Sequence, residues 1–171
     1  MAGKYSGMQA QLKKINPQAN FIPCAAHSLN QVGAHAVDPC VQAISFFGFV
    51  QRVYVFFVTS THRWAVLKTH LKQNATAVIP KQVSDTRWSA LADATRALVA
   101  GSKEIIAPLM QLSEGQDERG GTKHEAKCLL KATTTLETAL MAEFWDRVLQ
   151  HFYATSKALQ SPTLSLNAAV S

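Results

Sequence analysis

Apolar positions along the chain recur mostly at helical spacing, three and four residues apart. One such face runs from Tyr5 to Ile15, and Asn16-Pro17 predicts its end. Asp38-Pro39, Thr59-Ser60-Thr61 and Ser84-Asp85 have the composition of helix starts. The sequence therefore predicts further helices over 25–37, 39–58, 61–72, 84–100, 103–112 and 124–160. Thr133 to Thr135 is the weak point of the last, and Pro108 is expected to kink or delay the helix around it.

Three stretches depart from this helical pattern. Residues 19–23 are short and apolar, which is typical of a buried strand. Residues 73–83 read as a loop, and residues 113–123 are polar and glycine-rich, so a flexible loop is predicted there. The chain is thus expected to be mainly α-helical, with one or two strands near its start.

The helix over 25–37 has a polar side that could carry chemistry. At 100° per residue, an apolar stripe is predicted to face the core, and a polar group lies opposite it. The apolar stripe consists of Ala25, Leu29, Val32 and Ala36. The polar group consists of Cys24, His27, Gln31 and His35.

Cys24 and His27 allow three interpretations. A structural zinc site needs about four ligands, and neither Cys40 nor Cys128 has a nearby cysteine to complete one. A Cys–His nucleophile needs an orienting group, and no hydrolase signature surrounds the pair. The third interpretation, which the residues favour, is a small buried thiol at a strand end beside a histidine that bonds to nearby backbone. No metal ligand is predicted.

Composition restricts the cellular setting. The chain is 47% hydrophobic and 16% charged, enough to bury a substantial core. Its most apolar run, residues 40–58, contains Arg52, so a buried helix is predicted rather than a membrane span. The N-terminus lacks the apolar segment of a signal peptide, and the three widely spaced cysteines are typical of reduced thiols. We expect a protein that is not secreted and has no membrane partner.

The positive charge belongs to the first half of the chain. Residues 1–84 hold eight Lys/Arg and one acid, Asp38, a net charge of +7, whereas residues 85–171 hold nine Lys/Arg and ten acids, a net charge of −1. A basic surface attracts polyanions, of which nucleic acid is the commonest inside cells. The candidates for phosphate contacts are Lys13, Lys14, Arg63 and Lys68, each of which would otherwise be an ordinary solvated charge.

Five segments, spread in order over nearly the whole chain, together resemble hAT-superfamily transposases. They are MAGKYSGMQAQLKKINPQANFIPCAAHSLN, FFGFVQRVY, STHRWAVLKTHLK, VSDTRWSALADATRAL and EFWDRVLQHFYATSKALQ. The likeness is strongest to host-gene relatives known as zinc finger MYM-type protein 1-like. The resemblance implies a partial ribonuclease H-like α/β core at the N-terminus that leads into an α-helical insertion. On this interpretation residues 1–27 end the first half of the core, and 28–171 form a truncated insertion domain that contains the 113–123 loop.

The resemblance also implies roles for particular residues. Cys24 and His27 are similar to the family's CxxH motif, which shapes the neighbourhood of the active site. Arg87 and Trp88 are similar to its RW motif, whose tryptophan stacks on a displaced base. An indole can replace lost base stacking, but Trp88 at the start of a helix is equally well interpreted as a core anchor.

The family's two aspartates and glutamate, which bind Mg²⁺ or Mn²⁺, are expected to lie outside this chain. We therefore expect no cofactor and no catalysis here, and a nuclear, DNA-binding remnant of a transposase. The alternatives are a piece of an active transposase and a helical module for protein partners or self-association. A cytoplasmic location is the alternative to the nucleus.

Overall fold

The described part of the chain is helical throughout. The computed structural model describes residues 7–19, 24–37, 39–72 and 88–161, with the single positions 80 and 82. Within these ranges there are eight helices and no strand. The helices are α1 (Met8–Ile15), α2 (Ala25–Val37), α3 (Val41–Val58), α4 (Thr61–Leu71), α5 (Trp88–Ala100), α6 (Ser102–Glu114), α7 (Gly120–Thr133) and α8 (Leu136–Leu159).

The mainly α-helical class is therefore confirmed, and the residues that the structure describes show no α/β core. The strand predicted over 19–23 falls almost wholly outside the described residues, as does most of the loop predicted over 73–83. The predicted boundary between residues 27 and 28 lies inside α2, which runs unbroken through it.

Helix α3 is the centre of the core. Its sequence is apolar on nearly all sides, but only one face is buried, since Val41, Ile44 and Val58 lie exposed on the other. Phe56 and Phe57 are 1% and 0% exposed and meet edge to face, with their ring centroids 5.2 Å apart. Of the described helices, α3 alone is long and apolar enough to cross a membrane, yet 44% of it is buried against its neighbours. The burial agrees with the predicted core helix.

Most of the other described helices pack on the buried face of α3 or against the helices that contact it. Helices α4, α5, α7 and α8 all contact α3, α5 packs extensively along α8, and α6 packs along α7. Helix α4 lies against α6, and α2 lies against α8. The rings of Phe47 in α3 and Trp145 in α8 are far apart in sequence, but their centroids lie 5.1 Å apart. Buried residues of α3 to α8 belong to one core cluster, which joins the two halves of the chain.

Several helix ends match their predicted positions. Helix α1 stops at Asn16, whose amide bonds the Leu12 carbonyl at 2.8 Å. Ser60 caps α4 by accepting from the Arg63 amide. The break between α7 and α8 falls at Thr134-Thr135, where the hydroxyl of Thr134 bonds the Leu130 carbonyl of the preceding turn at 3.1 Å. The predicted weak point at Thr133 to Thr135 is thus confirmed.

Other ends are corrected. Helix α3 begins at Val41 rather than at Pro39, and its N-cap is Cys40 in an extended conformation. Helix α6 begins at Ser102 and runs through Pro108, so the proline does not delay the start. Pro108 is buried, and its ring packs in the core, where apolar contact offsets the missing backbone hydrogen bond.

The loop predicted over 113–123 is shorter than its composition indicates. Helix α6 continues to Glu114 and α7 starts at Gly120, which leaves a five-residue connection over 115–119. Gly115 permits the tight return, because a Cβ there would lie 3.0 Å from the Glu118 Cγ and 3.2 Å from the Gln111 carbonyl oxygen. The polar composition of 113–123 therefore marks a helical hairpin with helical residues on both sides of the turn.

The buried face of α2 differs from the predicted one. Ala26 and Gly33 are buried, whereas Ala25 is exposed and Val32 is 63% exposed. His27, Gln31 and His35 are exposed, as predicted for the polar side of this helix. The buried side of α2 therefore carries small residues, and Val32 lies away from it.

Candidate nucleic-acid interface

Helix α1 presents Lys13 and Lys14 in its last turn. Both side chains are exposed, and neither has an ion-pair partner among the described residues. Cations here complement the negative end of the helix dipole. No side chain of α1 is buried, and its apolar residues Met8, Leu12 and Ile15 are each more than half exposed. The two lysines are therefore accessible to a polyanion.

Helix α4 is divided into two electrostatic halves. At its start, the His62 Nε2 lies 2.6 Å from the Glu118 Oε1, and an Arg63 guanidinium nitrogen lies 3.5 Å from the Glu125 Oε2. At its end, Lys68 and the C-cap residue Lys72 are exposed, with no ion pair to a described residue. Acids of the second half of the chain thus neutralise the start of α4 and leave its end positive.

The Arg63 side chain packs against neighbouring residues and is mostly buried. Its guanidinium carbon lies 4.5 Å from the centroid of the Phe56 ring, and Nη2 donates to the Thr59 hydroxyl at 3.0 Å. The side chain is only 16% exposed. Trp64 beside it is partly buried and packs against the core. Of the four predicted phosphate contacts, Arg63 is the least available.

Lys68 lies over an aromatic ring but keeps its charge in solvent. Its ammonium nitrogen is 5.7 Å from the centroid of the Trp64 ring, near the limit of a cation–π contact. One turn later comes Lys72, which was not among the predicted phosphate contacts. The two lysines are four residues apart and so project from one side of the helix. Their helical spacing was the signal that could have identified Lys72.

A polar cleft at the start of α4 was also not predicted. Its volume is about 920 Å³, and it lies between the α3–α4 junction and the α6–α7 connection. His62, Arg63, Asp117, Glu118 and Arg119 line it, so its charges largely offset one another. His62 and Glu118 are 56 residues apart in sequence, and no local pattern relates them. The cleft accounts for the neutral half of α4 and adds nothing to a polyanion surface.

Cys24 is exposed, so the expected buried thiol is wrong. His27 lies on the same exposed side and its Nε2 is 3.2 Å from the Gln31 side-chain nitrogen, not from a backbone group. In the part of the chain that the structure describes, no three His, Cys, Asp or Glu side chains come close enough together to hold a metal ion. Cys24 therefore lies at the surface just before α2, and His27 lies at the surface of its first turn.

The structure describes only the backbone of Trp88 from the Arg87-Trp88 pair. Trp88 is the first residue of α5, consistent with a helix that starts after Ser84-Asp85. Arg87 and the Trp88 side chain lie outside the described residues. Both interpretations of Trp88, as a base platform and as a core anchor, remain predictions.

Comparison with known proteins identified no relative of this chain. No family model matches the chain, and neither a curated protein nor a solved structure matches it. The resemblance to hAT-superfamily transposases remains a prediction from the sequence.

Proposed function

We propose that this chain is a transposase-derived, hAT-like nuclear protein that binds DNA weakly through phosphates and does not read base sequence. On this proposal it includes part of a ribonuclease H-like core and most of a helical insertion, and the residues that ligate Mg²⁺ or Mn²⁺ in the family lie elsewhere. The supporting observation is the pair of accessible lysine clusters, Lys13 and Lys14 on α1 and Lys68 and Lys72 on α4.

Electrostatics favour phosphates over bases as the target. Ammonium groups on flexible stems act as point charges and suit phosphate oxygens, whereas readout of bases uses planar side chains in a fixed geometry. Helix α4 keeps its lysines away from the acids that neutralise its other end. Residues 1–84 carry a single acid, so little in the first half of the sequence opposes an approaching polyanion.

The test compares two double substitutions with the same loss of charge. Lys68→Ala/Lys72→Ala removes two exposed lysines four residues apart on α4, and Lys127→Ala/Lys131→Ala does the same on α7, in the other half of the chain. Each lost phosphate contact reduces the slope of log K against log salt by about 0.9 on duplex DNA. We expect the α4 variant to bind a labelled duplex several-fold more weakly and to show a slope lower by about 2.

Fluorescence anisotropy at several salt concentrations gives both quantities, and circular dichroism confirms that the variants are folded. The α7 variant is expected to bind almost as the parent does. Equal losses in the two variants would show that only net charge matters and would remove the α4 surface from the proposal. Binding that discriminates strongly between duplex sequences would contradict phosphate recognition.

A further inference from the structure

Helix α8 has large apolar side chains on both of its faces. Ala142, Trp145 and Leu149 are buried in the core. On the solvent side, Leu136, Leu140 and Phe144 are 75%, 63% and 57% exposed. Their spacing of four residues aligns them in one stripe, which we call the α8 stripe. No described residue covers the α8 stripe, although exposed apolar side chains aligned in this way are uncommon on a monomer.

The acidic residues of α8 lie towards its start and the basic residues towards its end. Its acids, Glu137, Glu143 and Asp146, all precede its basic residues, which begin at Arg147 and end at Lys157. Glu137 and Arg147 flank the α8 stripe at its two ends, and Arg147 already reaches back to Glu143 at 2.8 Å. A helix with this pattern attracts an antiparallel copy of itself, whereas a parallel copy would place like charges together.

We propose that α8 pairs antiparallel with the α8 of a second copy of the chain, about a two-fold axis at the level of Ala142. In this register Leu140 lies level with Phe144 of the second copy, so the exposed apolar side chains cover each other. Glu137 lies level with Arg147 of the second copy, and the two-fold axis repeats both pairs. Arg147 would then lie between Glu143 of its own helix and Glu137 of the other.

Helix α1 is another described segment that could cover the α8 stripe, since Met8, Leu12 and Ile15 are exposed. It also carries lysines that could face Glu137 and Glu143. It has no acid to face Arg147, whereas a second α8 places Glu137 level with it. The charges thus favour a second copy over α1.

Sedimentation equilibrium of the full chain tests the pairing, with a thiol reductant present because Cys24 and Cys128 are exposed and could cross-link. The parent chain is expected to dimerise reversibly. Leu140→Asp should weaken dimerisation by about ten-fold or more, because it places a charge in the centre of the contact. Val32→Asp is the matched control: its side chain is also 63% exposed, but it lies on α2, and dimerisation should not change.

Charge substitutions test the orientation. Glu137→Lys and Arg147→Glu should each weaken self-association, because each places like charges together across the contact. A mixture of the two variants should associate better than either alone, since both cross-pairs are then opposite in charge. A parent chain that stays monomeric, a dimer that survives Leu140→Asp, or a mixture no tighter than its components would each overturn the proposal. Loss of the dimer in Leu12→Asp would assign the contact to α1 and overturn it as well.

Discussion

Substitution of Arg63 by alanine should destabilise the fold more than it weakens DNA binding. The guanidinium group lies over the Phe56 ring at 4.5 Å, donates to the Thr59 hydroxyl at 3.0 Å and lies 3.5 Å from a carboxylate oxygen of Glu125. These contacts join α4 to α3 and to α7. With 16% of its side chain exposed, Arg63 has little surface left for a phosphate.

The expected loss follows from those three contacts. A partly desolvated cation–π contact contributes about 0.5–2 kcal/mol, and a hydrogen bond to a charged side chain about 1.5–3 kcal/mol, less where the pair is exposed. The ion pair adds less than about 1 kcal/mol, because the Glu125 side chain is 54% exposed and its charge is screened. The contacts share one side chain and do not add fully, so we expect a loss of about 2 kcal/mol in the free energy of unfolding. For a chain of this size that corresponds to a fall in Tm of about 4–8 °C.

Thermal and urea unfolding followed by circular dichroism measure this loss, with Lys68→Ala as the matched control on the same helix. Lys68 is exposed and makes only a distant ring contact, so its removal should change stability by less than about 0.5 kcal/mol. An Arg63→Ala chain that unfolds like the parent but has lost most of its DNA affinity would refute the reasoning.

Two further predictions concern the core and the polar side of α2. Phe57→Ala, at a side chain with 0% exposure, should lower the free energy of unfolding by about 3–5 kcal/mol in urea denaturation, whereas Val32→Ala at an exposed site should stay within about 0.5 kcal/mol of the parent. A small effect of Phe57→Ala would contradict the central position of α3. Elemental analysis of the purified chain should find no stoichiometric zinc, because Cys24 and His27 gather no further ligands among the described residues. About one tightly held zinc per chain, lost in Cys24→Ser, would show that prediction to be wrong.

Local sequence signals located most helices and several of their ends. The stop at Asn16-Pro17, the Ser60 cap and the threonines between α7 and α8 act through neighbouring backbone groups, so they can be recognised in a short window. The composition of 113–123 predicted too long a loop. The turn at Gly115 needs only five residues between the helices.

The face of a helix that becomes buried depends on its partner. On α2 the apolar pattern predicted that the side with Val32 would be buried, but the buried side contains Ala26 and Gly33. The polar cleft was missed for the same reason, since His62 meets Glu118 and His70 meets Gln111 only after α4 has packed against α6 and the connection that follows it. Of the candidate phosphate contacts, the sequence identified Lys13, Lys14 and Lys68, but it could not show that Arg63 is held by Phe56 and Thr59.

The salt dependence of DNA binding by the unmodified chain tests the proposed function most directly. Titration of one labelled duplex at a series of salt concentrations yields the slope of log K against log salt, which counts the phosphates that the protein neutralises. With two accessible lysine clusters we expect a slope of about −3 to −4, and nearly the same affinity for an unrelated duplex sequence. A slope near zero, or no binding even at low salt, would contradict the claim that the basic half of this chain binds the DNA backbone.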